Sequence, residues 1–223
     1  MSRTLLVLRP EPGASATAAA AAALGFAALA APLFTVRSVD WPAPPTLPPA
    51  VLMTSANAAR HGGGGLGALV GVPLYAVGES TAAAARIAGF SHVVVGSDGV
   101  DAILEQAARD GIGRLLHLAG REHRLPTNTG IAIERRVVYA ADAVTALPEA
   151  ARAALPDTVV LLHSPRAAAL FATLVDPSGI AIAAMSSATR AAAGEGWRTV
   201  AIAERPTDAS LLAAAAKLCD QRG

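Results

Sequence analysis

The chain has 223 residues, enough for two domains of about 100 each, and its 18 basic and 17 acidic side chains leave a formal net charge of +1. With no basic stripe and no aromatic cluster, that balance excludes a nucleic-acid grip. One cysteine, Cys219, excludes an intramolecular disulfide and a cysteine-built metal cluster, and suits a reducing, cytoplasmic setting.

From the N-terminus, short β-rich runs alternate with Ala-rich segments, the pattern of parallel sheets covered by helices, so the expected class is α/β. Strands are expected at 4–8, 26–34, 51–54, 74–77, 92–95, 115–118, 131–139, 158–163, 182–185 and 199–203, five in each half. The stretch 12–36 carries no charge, but it is mostly alanine and is broken by Gly13, Gly25 and Pro32. It is read as neither a membrane span nor a signal peptide. Segments 35–40 and 137–142 alternate in polarity ahead of proline-containing stretches and read as a two-stranded hinge between domains. The glycine run 62–65 reads as a surface loop. Helices are expected to start at Ser55, Ser80, Ser164 with Pro165 in its first turn, and Thr207.

Much of this pattern occurs twice, about 108 residues apart. Val51-Leu52-Met53-Thr54-Ser55 returns as Val160-Leu161-Leu162-His163-Ser164. Val77-Gly78-Glu79-Ser80-Thr81 returns as Met185-Ser186-Ser187-Ala188-Thr189, and Asp98-Gly99-Val100 as Pro206-Thr207-Asp208. Three echoes in register describe a duplicated domain, and paired domains are a common frame for a ligand cleft. The first copy begins only at Val51, so the preceding residues are assigned to the C-terminal half. This gives one discontinuous domain of 1–34 plus 145–223 and an inserted domain of 35–144.

Ser55, Thr81, Ser164, Thr189 and Thr207 all fall where a strand gives way to a helix, the edge at which open α/β sheets bind ligands. Free N–H groups and hydroxyls there can hold anions, although each residue is equally explained as a helix cap. Arg9 and Arg121 also stand at strand ends, where a guanidinium can hold a carboxylate, or simply face solvent. Tyr139 lies in the second hinge segment and could donate a hydrogen bond to a leaving hydroxyl, or serve as an amphipathic aromatic at a wet junction. The five histidines have no ligand-pair spacing, and no nucleophile triad, Walker loop or dinucleotide fingerprint is present, so neither metal nor cofactor is implied.

Leu8-Arg9-Pro10, Thr54-Ser55-Ala56-Asn57-Ala58, Val77-Gly78-Glu79-Ser80-Thr81, Val138-Tyr139, Ser164-Pro165-Arg166-Ala167 and Arg205-Pro206-Thr207 together resemble the uroporphyrinogen-III synthase family over essentially the whole chain. The resemblance implies two flavodoxin-like domains, each a five-stranded parallel sheet with flanking helices, joined by a two-stranded β-ladder. It implies a cytoplasmic monomer that closes linear hydroxymethylbilane into uroporphyrinogen III, losing water and inverting the terminal pyrrole, without metal or cofactor. On the same footing Tyr139 is the catalytic residue, assisting departure of the hydroxyl. Arg9, Ser55, Gly78, Thr81, Gly120, Arg121, Ser164, Thr189 and Thr207 would bind the substrate's carboxylates. Met185-Ser186-Ser187-Ala188-Thr189 departs from the family's Gly-containing phrase, which weakens Thr189 relative to Thr81. The alternative is a non-catalytic two-domain receptor for a small anion.

Overall fold

The computed structural model describes residues 4–96, 99–122 and 130–220, so Asp98 and His123 of the sequence reading lie outside the described residues. The chain divides into two compact units, one of Met1–Thr35 with Ala143–Gly223 and the other of Val36–Asp142. β1 (Thr4–Val7), α1 (Gly13–Ala23) and β2 (Ala27–Ala30) open the first unit. The chain enters the second through β3 (Phe34–Ser38) and continues with β4 (Val51–Met53), α2 (Ala56–His61), β5 (Leu74–Val77) and α3 (Glu79–Ile87). β6 (Val93–Gly96), α4 (Val100–Arg109), β7 (Arg114–Gly120) and β8 (Ala132–Ala143) follow. The first unit resumes with α5 (Glu149–Ala154), β9 (Thr158–Leu162), α6 (Pro165–Leu174), β10 (Ala181–Ala184), α7 (Ser187–Ala192), β11 (Thr199–Ile202) and α8 (Asp208–Asp220).

The first unit holds a five-stranded parallel sheet in the order β11-β10-β9-β1-β2, in which Leu5 is partnered by Val159 on one side and Ala28 on the other. All five residues of β9 are buried, so the strand reads as an unbroken apolar run instead of an alternation. On one face α1 and α8 set Ala14, Ala21, Leu211, Leu212 and Ala215 against Leu5, Val7, Val159 and Leu161. Because α1 is nearly all alanine, its sequence marks no face. The fold turns Ala14, Thr17 and Ala21 inward, at helical spacing.

The second unit's sheet has six strands in the order β3-β8-β7-β4-β5-β6. The pairs from β8 to β6 are parallel. β3 is antiparallel to β8, because Val144 N–H donates to Leu33 O and Val39 N–H to Val138 O, one number rising as the other falls. The sheet thus holds five parallel strands, β8 to β6, with β3 added antiparallel at the β8 edge as a sixth. Segment 137–142 runs within the 12-residue β8, whose backbone is satisfied by pairing along β7. The single strand expected at 26–34 is two strands, interrupted around Pro32, which has no N–H to give a ladder.

The glycine run is also more structured than a surface loop. Gly64–Leu69 is a 3-10 helix, Gly62 O accepts a 2.7 Å hydrogen bond from the Trp41 indole, and a Cβ at Gly65 would lie 2.7 Å from that ring. The absence of a side chain at Gly65 is what lets the indole come this close to the backbone.

Candidate active site

In each parallel sheet the C-terminal ends of the strands share one edge, and the sequence-predicted residues gather there within their own unit. In the second unit Ser55 follows β4 in extended conformation and accepts from Asn57 N–H at 3.2 Å, capping α2. Beside it Thr54 Oγ1 lies 3.2 Å from Nε2 of the buried His117 on β7. Gly78 begins α3 at φ +82°, a region costly for any residue with a Cβ, and its carbonyl accepts from Thr81 and Ala82. The helix starts at Glu79 and not at Ser80. Thr81 sits one turn in and is 2% exposed. The N–H groups of Glu79 and Ser80 lie ahead of the first bond of that helix, which Thr81 N–H makes to Gly78 O.

At the end of β7 a register shift falls between Ala119 and Gly120: Leu118 pairs with Arg136 and Ala119 with Val137, but Gly120 pairs with Tyr139. The extra residue re-aims the strand, as bulges do. Without it Tyr139 would point away from Val138. With it, both pack on the face that carries Met53, Leu118 and helices α2 and α3. Tyr139 can occupy that place only because residue 120 is glycine, since a Cβ there would meet the ring at 2.6 Å and the hydroxyl oxygen at 2.8 Å. Arg121 N–H closes the bulge on Tyr139 O at 3.0 Å. No side-chain hydrogen bond to the Tyr139 hydroxyl occurs among the described residues. Arg121 reaches Asp142 at 3.3 Å, and Arg37 bonds the same carboxylate. Arg37 foremost, with Arg121, holds the exposed Asp142 carboxyl below its ordinary range.

In the first unit Ser164 caps α6 by accepting from Ala167 N–H at 3.2 Å, with Pro165 supplying the fixed φ of the first turn. Ser186, in extended conformation, caps α7 by accepting from Thr189 N–H, and its hydroxyl lies 3.1 Å from that of Thr189. Thr189 is 1% exposed, so the surface hydroxyl at this place belongs to Ser186. Thr207 is exposed and accepts from Ser210 N–H at 3.3 Å.

Arg9 already has a carboxylate partner of its own. Its Nη1 donates to both oxygens of Asp208, at 2.9 and 3.0 Å, and Thr17 Oγ1 donates to Oδ2 at 2.7 Å. His163 Nε2 lies 3.5 Å from Oδ1, and both buried ring nitrogens lack a hydrogen bond among the described residues. His163, Thr17 and Arg9 hold the Asp208 carboxyl at about 2. At 3.5 Å the His163 contact is too long to be the firm part of that effect, so we ascribe more of it to Thr17 and Arg9. Sequence reasoning missed His163, Asp208 and Thr17. An acid in a helix's first turn is a weak signal, and nothing in the sequence tells that Asp208 meets a residue 199 positions away.

The family model described as uroporphyrinogen-III synthase HemD matches residues 15–213. The chain belongs to the uroporphyrinogen-III synthase family. It is therefore a cyclising lyase of tetrapyrrole biosynthesis. The uroporphyrinogen-III synthetase of Helicobacter pylori 26695 has a similar fold, with a TM-score of 0.67 at 18% identity over 98% of this chain and 100% of that one. A mutant uroporphyrinogen III synthase of the extremely thermophilic bacterium Thermus thermophilus is similar at a TM-score of 0.55 and 18% identity, over 100% of both chains. No curated protein sequence matches significantly. Among the described residues no helix is long and apolar enough to cross a membrane.

Proposed function

We propose that Tyr139 is the general acid of the cyclisation and that helix-start donors of the two units hold the substrate's carboxylates. The Tyr139 phenol donates its proton to the terminal hydroxymethyl oxygen as the C–O bond breaks. Water leaves, and electrons from the adjacent pyrrole nitrogen generate the azafulvene. The substituted carbon of the last ring then attacks that centre to give the spirocyclic pyrrolenine; its bond to the original bridging carbon breaks, that carbon bonds the ring's free α-carbon, and loss of the α-proton leaves the ring inverted. The substrate's own pyrroles carry the charge, so the protein's principal task is to hold the bilane folded.

The observation that carries this reading is the seat of Tyr139. A bulge and a glycine are both spent on placing one phenol at the rim, and no side-chain partner takes up its hydroxyl among the described residues. Ser55, Gly78 and Thr81 in one unit, and Ser164, Thr189 and Thr207 in the other, mark the helix starts whose N–H groups and hydroxyls suit a polycarboxylate. Gly120 contributes by leaving space. Arg9, shared with Asp208, binds through its remaining N–H groups, and Arg121, paired with Asp142, adds positive charge at the rim of its own unit.

On this reading each domain is flavodoxin-like, supported by the matching orders β11-β10-β9-β1-β2 and β6-β5-β4-β7-β8, and β3 with β8 forms the connecting ladder. The domains are 1–34 plus 145–223 and 35–144. The protein works as a cytosolic monomer on hydroxymethylbilane, without metal or cofactor. Incubation of the purified chain with fresh hydroxymethylbilane, followed by separation of the type III from the type I isomer, is the test. The III isomer is expected, and exclusive formation of the non-enzymatic I isomer would favour the anion receptor.

A further inference from the structure

Arg9 is gripped on more sides than a surface arginine needs. One nitrogen, Nη1, serves Asp208, and the guanidinium lies against the first turn of α1, where a Cβ at Gly13 would meet Nε first, then Cζ at 2.8 Å and Nη2 at 3.0 Å. Asp208 is itself fixed by Thr17, which is fully buried on α1, and is backed by the buried His163 at the end of β9. Nε and Nη2 make no hydrogen bond among the described residues, and the Arg9 side chain keeps 34% of its surface. A guanidinium has five N–H donors in a rigid plane, so holding one nitrogen orients the rest.

We propose that Asp208, seated by Thr17, is a positioning residue that locks the Arg9 plane and leaves its outer edge to one substrate carboxylate. This rests on the reading that Arg9 binds substrate. Asp208 does not touch substrate; it acts through Arg9.

Charge alone makes the opposite forecast. Asp208→Asn adds a positive charge to the rim, and simple attraction would then tighten binding of a polycarboxylate. The clamp instead predicts that KM for hydroxymethylbilane rises about fivefold in Asp208→Asn with kcat little changed, and about twofold in Thr17→Val, an isosteric change that keeps the test open if the first variant does not fold. Asp208→Asn should add nothing in an Arg9→Gln background. Calorimetric binding of benzene hexacarboxylate gives the same comparison without catalysis, with Kd following the order of KM. An unchanged or lower KM and Kd in the variants, or additive losses, would overturn the clamp. If the wild-type chain yields only the I isomer while Kd keeps the predicted order, the cyclase reading fails and the clamp stands. If it yields the III isomer and the order is absent, the clamp alone fails.

Discussion

Both units are built on one plan, and they spend their strand ends differently. Running β4-α2-β5-α3-β6-α4-β7-β8 in one unit corresponds to β9-α6-β10-α7-β11-α8-β1-β2 in the other, the last two strands coming from the chain's beginning. In the second unit the rim is opened by glycines: Gly78 at φ +82° starts α3, Gly99 at φ +94° starts α4, and Gly120 makes room for Tyr139. In the first unit the matching helix starts carry Ser186 and Thr207, each accepting from its own helix, and the rim is filled by Arg9, Asp208, Thr17 and His163. Among the described residues one copy thus leaves an aromatic hydroxyl without a side-chain partner, and the other ties Arg9, Asp208 and Thr17 to one another. The two halves share a frame and differ at a few rim residues; on the proposed reading, the half with Tyr139 supplies the acid and the half with Arg9 holds carboxylate.

That contrast can be broken most severely at the bulge. Tyr139→Phe should lower kcat about a hundredfold with KM nearly unchanged and the thermal midpoint within a degree or two, read from type III formation under single-turnover conditions. Gly120→Ala should lower kcat at least tenfold although residue 139 is still tyrosine, because the added methyl displaces the ring that it would meet at 2.6 Å. If Gly120→Ala turns over normally, the seat described for Tyr139 is wrong.

Smaller effects compare the two kinds of helix start. Gly78→Ala meets no atom within 4 Å, so its cost is purely that of the backbone at φ +82°, about 1–2 kcal/mol. Ser186→Ala removes a cap, at about 1 kcal/mol. Each unit has one tryptophan, Trp41 in the second and Trp197 in the first. Urea unfolding followed in Trp197→Phe and Trp41→Phe backgrounds should place the loss from Gly78→Ala in the Trp41 signal and that from Ser186→Ala in the Trp197 signal. Loss of both signals together in either variant would make the units one cooperative system instead of two.

The smallest effect is on acid stability. Asp208 is lowered from 3.8 to about 2 in the fold, so the stability it gives is complete above the unfolded value and is lost as pH falls through the folded one. The window is roughly pH 4 to 2. With a third of its side chain exposed, the contribution after solvent screening is about 1 kcal/mol. Trp197 fluorescence in a Trp41→Phe background should show this acid step, and Asp208→Asn should remove it.

Much of the architecture was legible because parallel strands and their covering helices announce themselves locally. β9 reads as an unbroken apolar run because both of its faces are covered, and Ser55 and Ser164 are visible caps because a serine oxygen serves an N–H two or three residues away. Apart from the break around Pro32 and the start of α3 at Glu79, which are local, the misses are non-local. The addition of β3 required a partner strand to take up the backbone of β8, and the close packing of Trp41 on Gly65 required two segments to meet.

By itself the sequence determined the alternation, the duplication, the places where helices start and the family, since these depend on periodicity and on contacts between near neighbours. Only the tertiary structure decided that Tyr139 shares a face with Val138, that Gly120 is its seat and that Arg9 belongs to Asp208. Each of those depends on the register between strands or on side chains far apart in the chain, which local propensity does not encode.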